Sequence, residues 1–272
     1  MNKLYKQLFS KGFLVKRPPF LKITSESIKE QFIFLIFKKY PSFSKIQSNI
    51  LENLHLYLDD NEIINLQYAL TEYIWHEQIQ DKIIHHLYQY LFKLYNSEFQ
   101  IQSYPHVRIS RPNKPIDNVG FHRDTDYGAS TKEISVWVPF TKFSTGSAMM
   151  LLPNSIQNTT IFETYIHENN IEKGSIRNLI GIPYSNVRVK LEDNMRKNLV
   201  EPRVNFGSVL LIPQDTVHGS ELNGSNNTRL SMDIRVVGNN VNDRNSTLER
   251  RRNEKLLKYY NYAWYRDYKF QN

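Results

Sequence analysis

Apolar and polar residues alternate along this chain with two different periods, and the change falls near residue 99. Up to about residue 98 the spacing is helical. SIKEQFIFLIFKKY (27–40) opens with a serine suited to an N-cap and stops before Pro41, as a helix should. Between 60 and 95, apolar residues at 63, 66, 70, 74, 83, 87, 91 and 94 fall on one helical face over several turns. From Phe99 to Gly238 the text becomes short alternating runs separated by Gly, Pro, Asn and Ser, which predicts β-structure. QIQSYPHVRIS, EISVWVPF, SAMMLLP, GSVLLIP and TRLSMDIRVV are the expected strands, and 156–200 reads as a long insertion with some helix. Nothing alternates as strand–helix–strand, which argues against a Rossmann fold. The expected architecture is mainly β with flanking helices, a double-stranded β-helix (jelly-roll, cupin-like) core. Its parts are a helical region over 1–98, a core over 99–240 and a basic, aromatic C-terminal helix over 241–272, all in one structural domain.

Composition narrows the chemistry. The 272 residues contain no cysteine, so disulfides, thiolate metal sites and cysteine nucleophiles are excluded, and any metal must be held by nitrogen and oxygen. FIFLIF (32–37) is too short to span a bilayer, no signal peptide opens the chain, and a cytoplasmic location is expected. The formal net charge of +8 points to anionic partners or, equally, to a lysine-rich surface without one. The tail LERRRNEKLLKYYNYAWYRDYKF reads as a solvated helix docking its aromatics in preference to a nucleic-acid surface.

One histidine cluster is a decoy. HEQIQ (76–80) begins like a zinc-protease helix, but Gln80 stands where the second histidine is needed, and the adjacent His85 and His86 point in different directions on a helix. GFHRDTDYG (120–128) carries more. His122 has an acid two residues on, Asp124, and another four on, Asp126. In an extended segment residues two apart share a face, so His122 and Asp124 can reach one ion. The pair is weak alone. It is strengthened by His218, at the end of an apolar strand, and by Arg229 eleven residues later. Two histidines and a carboxylate make the facial triad that holds Fe(II) with open positions, and a neighbouring arginine can grip a carboxylate with both arms of its fork.

The ordered pieces H-x-D, EISVWVPFT (133–141), TGSAMMLLPNSI (145–156), GSVLLIPQDTVHGS (207–220) and NGSNNTRLSMDIRV (223–236) resemble the Fe(II)/2-oxoglutarate-dependent dioxygenases of the phytanoyl-CoA dioxygenase superfamily. They are most similar to its branch from antibiotic-sugar and surface-carbohydrate clusters, over roughly residues 100–240. The resemblance implies His122, Asp124 and His218 as iron ligands, and Arg229, helped by Ser231, as the anchor for the far carboxylate of 2-oxoglutarate. It implies Fe(II), 2-oxoglutarate and O2 as the working set, and succinate and CO2 as co-products. Related halogenases carry a small residue in place of Asp124, so hydroxylation or desaturation is expected. Two positions depart from the family pattern: Ile156 follows the Pro-x-Ser where histidine is common, and Ser135 stands where asparagine is frequent.

Substrate contacts are read more coarsely. Thr125, Asp126 and Tyr127 follow the ligand pair and are expected at the pocket rim. Tyr104, His106 and Arg108 alternate on one strand, and one of them is expected to meet co-substrate or substrate. Trp137 lines the cavity or fills the core, the two being equally weighted. Arg229, Ser231, Asp233 and Arg235 share one face of their strand, and Arg235 either pairs with Asp233 or contacts substrate. The expected substrate is a small molecule, anionic or sugar-containing, such as a sugar or sugar nucleotide. The alternatives are a non-enzymatic cupin-like metal-binding or regulatory module and, third, a nucleic-acid demethylase.

Overall fold

The computed structural model describes residues 3–45, 49–127, 129–147, 149–156, 164–166, 187–239, 265–268 and 270. Helix α1 (Lys3–Lys11) and the short strand β1 (Leu14–Lys16) precede α2 (Leu21–Lys39). α2 begins six residues before Ser27, directly after Pro18, Pro19 and a Phe20 held at φ 60°, so Ser27 is an exposed interior residue and not a cap. Its end at Lys39 falls where expected, because a residue before proline is crowded out of the α region.

The helical spacing over 60–95 is realised as three helices: α3 (Asp60–His76), α4 (Ile79–His85) and α5 (Tyr88–Tyr95). The break before α4 is at Gln78, whose left-handed backbone (φ 47°) cannot continue a helix. α3 starts on a capping box. Asp59 accepts from the Glu62 amide at 2.8 Å while the Glu62 side chain accepts from the Asp59 amide at 2.9 Å.

The large sheet runs β1–β8–β4–β10–β2–β11, with β8 at Val209–Pro213, β4 at Ile134–Pro139, β10 at Arg229–Gly238, β2 at Phe99–Gln102 and β11 at Tyr265–Asp267. A further strand, β3 (His106–Ser110), also pairs with β10. β2 and β3 therefore share one lane beside β10: β3 covers Arg229–Asp233 and β2 covers Val236–Gly238. The expected single strand QIQSYPHVRIS is split at 103–105, where Pro105 has no N–H to give a ladder. Within the segment expected to be a C-terminal helix, 265–267 instead form β11, satisfying the outer edge of β2. The rest of 241–264, and nearly all of 157–186, lie outside the described residues.

The sheet has two unlike faces. Val107, Ile109, Val136, Val138, Leu230, Met232, Ile234 and Val236 bury against Ile28, Phe32, Ile36, Leu66, Leu70, Ile83 and Leu91 of the helices. Each such aliphatic side chain stabilises the fold by roughly 2 kcal/mol when fully buried. A one-residue slip of β10 would drive Arg229, Asp233 and Arg235 into that core, which sets the register.

Facing the other side is a smaller layer. β5 (Met150–Leu151) pairs with β9 (His218–Gly219), β9 pairs through His218 with His122, and Phe121 receives the Val189 amide of β7 (Val187–Val189), which pairs with β6 (Thr164–Ile166). Two layers of mainly antiparallel strands, with helices packed outside one of them, make the double-stranded β-helix expected of the sequence. Among the described residues no helix is long and apolar enough to cross a membrane.

Candidate metal centre

His122 and His218 are a cross-strand pair. Each amide donates to the other's carbonyl, at 2.8 and 3.0 Å, and the imidazole centroids stand 4.5 Å apart. The close approach depends on Gly219, where an added Cβ would lie 2.8 Å from the Cα of Phe121. The LPNS segment braces the same place: Ser155 Oγ accepts from the Val217 amide at 2.9 Å, next to His218. Both rings are fixed in the same way. His122 Nδ1 is 2.7 Å from the Gly120 carbonyl, and His218 Nδ1 is 2.8 Å from the Thr216 carbonyl. A carbonyl only accepts, so both Nδ1 atoms carry the proton and both Nε2 lone pairs are left facing inward.

Asp124 completes the set. Its Oδ1 is 3.6 Å from His122 Nε2 and its Oδ2 is 3.7 Å from His218 Nε2. These gaps are too long for hydrogen bonds, while one ligand atom from each of the three residues lies within 4.8 Å of the others. The donor set, two imidazoles presenting Nε2 and one carboxylate, fits a divalent transition metal with open positions. Burial, reinforced by the neighbouring His218, pushes the His122 imidazole down to about 4, so it is neutral at physiological pH. Burial alone would raise Asp124. The Arg235 guanidinium, then His122 and His218, hold it well below the usual carboxylate range.

Asp124 is held by residues that sequence reasoning did not bring to it. Arg235 Nη2 lies 3.0 Å from Asp124 Oδ1, and its Nη1 lies 3.6 Å from Glu133 Oε1. The Gln214 amide is fully satisfied when its nitrogen faces Asp124 Oδ2 and its oxygen accepts from Ser135 N (3.1 Å) and Oγ (2.8 Å). Glu133 and Gln214 carry no spacing signal, because each meets the site through strand pairing across some eighty residues of chain. β4 and β8 run side by side with Ser135 opposite Ile212, which brings the start of one strand to the end of the other.

The other residues expected at the site fall into distinct places. Arg229 Nη1 donates to the Ser147 carbonyl at 2.6 Å, while its Nε has no protein partner. Burial and then the nearby Arg108 lower Arg229 to about 10. Ser231 Oγ, buried on the same strand face, also lacks a partner. Trp137 lines the cavity with Arg108, Met149, Arg229, Asp233 and Arg235, and it also packs in a small apolar cluster with Leu210 and Ile212. His106 contacts Gln102 at 3.2 Å, and the Tyr104 ring meets Trp75 of α3, away from the cavity. Thr125 donates to Asp215 at 2.7 Å, and Asp126 is clasped by Arg123 at 2.9 and 3.2 Å. The side chain of Tyr127 lies outside the described residues.

The cavity at the triad is narrow, about 40 Å³. Two roomier clefts, of about 670 and 630 Å³, contain none of the triad residues: one is lined by Thr24, Asp81 and His86, the other by Lys22, Lys142 and Phe206. Volume alone would therefore point away from the converging donors.

No protein-family model and no curated protein sequence matches this chain. Solved structures do. The apo form of ThoJ, described as a non-heme monooxygenase, aligns with a TM-score of 0.54 at 11% identity, covering 87% of this chain and 77% of that one. Its nickel complex aligns with a TM-score of 0.50 at 12% identity over the same shares. EvdO2 from Micromonospora carbonacea var. aurantiaca, complexed with 2-oxoglutarate, aligns with a TM-score of 0.53 at 11% identity, covering 88% and 91%. At these identities the likeness is one of fold.

Proposed function

We propose that the protein is a non-heme Fe(II)- and 2-oxoglutarate-dependent oxygenase acting on a small molecule. The observation that carries this reading is the convergence of two Nδ1-protonated imidazoles and one carboxylate beside a buried guanidinium whose Nε has no protein partner. Structural likeness to a 2-oxoglutarate complex adds support through the fold. His122, Asp124 and His218 would hold the metal. Bound iron would supply oxygen activation coupled to decarboxylation of 2-oxoglutarate, chemistry that amino-acid side chains alone do not supply.

The chain's own contribution is positioning. The Gly120 and Thr216 carbonyls keep both Nε2 atoms available, and Arg235 and Gln214 keep Asp124 ionised and turned inward. Arg229 and Ser231 offer a carboxylate anchor, with Arg229 Nε and Ser231 Oγ both in need of a partner. The narrow cavity must part to admit a dicarboxylate, and the flexible thioether of Met149 at its wall suits that movement. The substrate we favour is a sugar or sugar nucleotide, supported by the sequence resemblance and by the cationic charge.

Anaerobic titration with Fe(II) and then 2-oxoglutarate tests the reading. A weak visible charge-transfer band that needs both ligands is the expected result. Its absence in the native protein overturns the oxygenase reading in favour of a binding module. Given the band, succinate formation stimulated by sugar nucleotides or sugar phosphates supports the substrate class, and stimulation only by lipids, amino acids or methylated oligonucleotides removes it.

A further inference from the structure

The cavity holds more unsatisfied polar groups than one co-substrate anchor uses. Arg229 and Ser231 account for one carboxylate under the reading above, on which this inference rests. On the same wall stand Arg108 of β3 and Asp233 of β10, both lining the cavity. Their placement follows from register. Arg108 lies opposite Ser231, and Asp233 lies opposite His106 on one side and Trp137 on the other, so both project from the face that carries Arg229 and Arg235.

The protein leaves part of this pair unmet. Asp233 Oδ1 is shut off from solvent and has no hydrogen-bond partner. Arg108, half-buried on β3, makes no hydrogen bond or salt bridge with Asp233, although its charge acts on Asp233 after that of Arg235. Arg108 instead faces Arg229 closely enough for the two cations to oppose one another. A carboxylate oxygen shut off from solvent without a donor, and a second guanidinium beside the first, are costly arrangements unless a ligand completes them. Arg235, the remaining cation of this face, is already engaged by Asp124 and Glu133.

We propose that Arg108 and Asp233 are a recognition pair for the substrate. Arg108 takes an anionic group, a carboxylate or phosphate, and Asp233 accepts a hydrogen bond from a hydroxyl or ammonium near it. The substrate class is therefore a small anion that also carries a donor. Sugar acids, sugar phosphates and amino acids share this chemistry, and neutral sugars and fatty acids each lack half of it. Asp233 selects for the donor because a ligand without one leaves its Oδ1 buried and unmet.

The test is calorimetric binding to the full-length protein, without oxygen, in the presence of Fe(II) and 2-oxoglutarate. The probes are glucuronate, glucose 1-phosphate and serine, with glucose as the donor without an anion and propionate as the anion without a donor. At least one of the first three should bind, with glucose and propionate tenfold or more weaker. A sugar acid or phosphate binding where serine does not identifies the carbohydrate source, and the converse identifies the amino-acid source. Arg108→Gln should erase the preference over glucose, and Asp233→Asn the preference over propionate, with the visible band of the 2-oxoglutarate complex unchanged in both. Glucose or propionate binding as well as the doubly equipped probes, or none of the probes binding, overturns the pair. So does loss of the visible band in Arg108→Gln, which would assign that residue to the co-substrate. Repeating the panel on metal-free protein separates the two readings: a missing band in the native protein sinks the oxygenase assignment, while the pattern across probes alone judges Arg108 and Asp233.

Discussion

Arg235 reaches across the strand face to Asp124, with Nη2 3.0 Å from Oδ1 and the other arm of the guanidinium 3.6 Å from Glu133. Both acids and the arginine are buried. Removing one member of such a group leaves an uncompensated charge in the interior, which is the strongly destabilising case. Arg235→Gln is expected to lower the stability of the metal-free protein by about 3 kcal/mol. Urea denaturation measures this, and a loss below about 0.5 kcal/mol, the range of an ordinary surface change, would contradict the buried network.

Metal binding should separate the two acids of GFHRDTDYG. Asp124→Ala and His218→Ala are expected to abolish Fe(II) binding or weaken it by about 100-fold or more, by loss of a direct ligand. Asp126→Ala should leave it within a factor of about three, because Asp126 is occupied by Arg123. Equilibrium dialysis without oxygen reads all three, and equal losses in Asp124→Ala and Asp126→Ala would reject the assignment.

Arg229→Ala should raise the 2-oxoglutarate concentration needed for the visible band by about 10- to 100-fold while iron stays bound, the range expected for a lost charge-assisted hydrogen bond. Arg229→Lys should recover only part of this, because an ammonium cannot make the forked contact.

Acid should destabilise the metal-free protein in a defined window. His122 has a folded value of about 4 against 6.5 when unfolded, so below pH 6.5 the unfolded chain takes up the proton first. The stability that depends on a neutral His122 is therefore complete above pH 6.5 and is lost progressively as pH falls through about 4, up to about 3 kcal/mol. Asp124, held well below 3.8, adds to the loss only at the acid end of that range. The urea midpoint measured from pH 7.5 to 4 should fall in the native protein and fall less in His122→Gln.

The capping box offers a control far from the cavity. Asp59→Ala removes the acceptor for the Glu62 amide and should cost about 1 kcal/mol with metal affinity unchanged.

The two periodicities exposed most of this architecture in the sequence, because burial on one side of a helix or sheet leaves a mark every few residues. β4 and β10 each fall inside a run of alternating character, and β8 is a continuous apolar run, VLLIP. The triad was readable for another reason: His122 and Asp124 sit two apart and His218 follows an apolar run, although it stands on the separate strand β9 and not at the end of β8. Gln78, in contrast, splits a helical region with a left-handed backbone that a glutamine does not announce. Gln214 reaches Asp124, and Glu133 reaches Arg235, only because strands fold side by side, and alternation says nothing of which strands become neighbours. Asp233 was visible as a member of the polar face, but that its Oδ1 is left without a donor is a three-dimensional fact.

β10 is both a wall of the apolar core and a floor of the metal site. Its amides can be released to solvent only if the whole domain opens, since Leu230, Met232, Ile234 and Val236 would have to leave the helices together. Hydrogen exchange at Arg229 and Asp233 should thus report global unfolding, and any ligand gripping those side chains should slow exchange across the entire sheet. Occupancy of the cavity would then be legible in the melting temperature of the protein, before any product is seen.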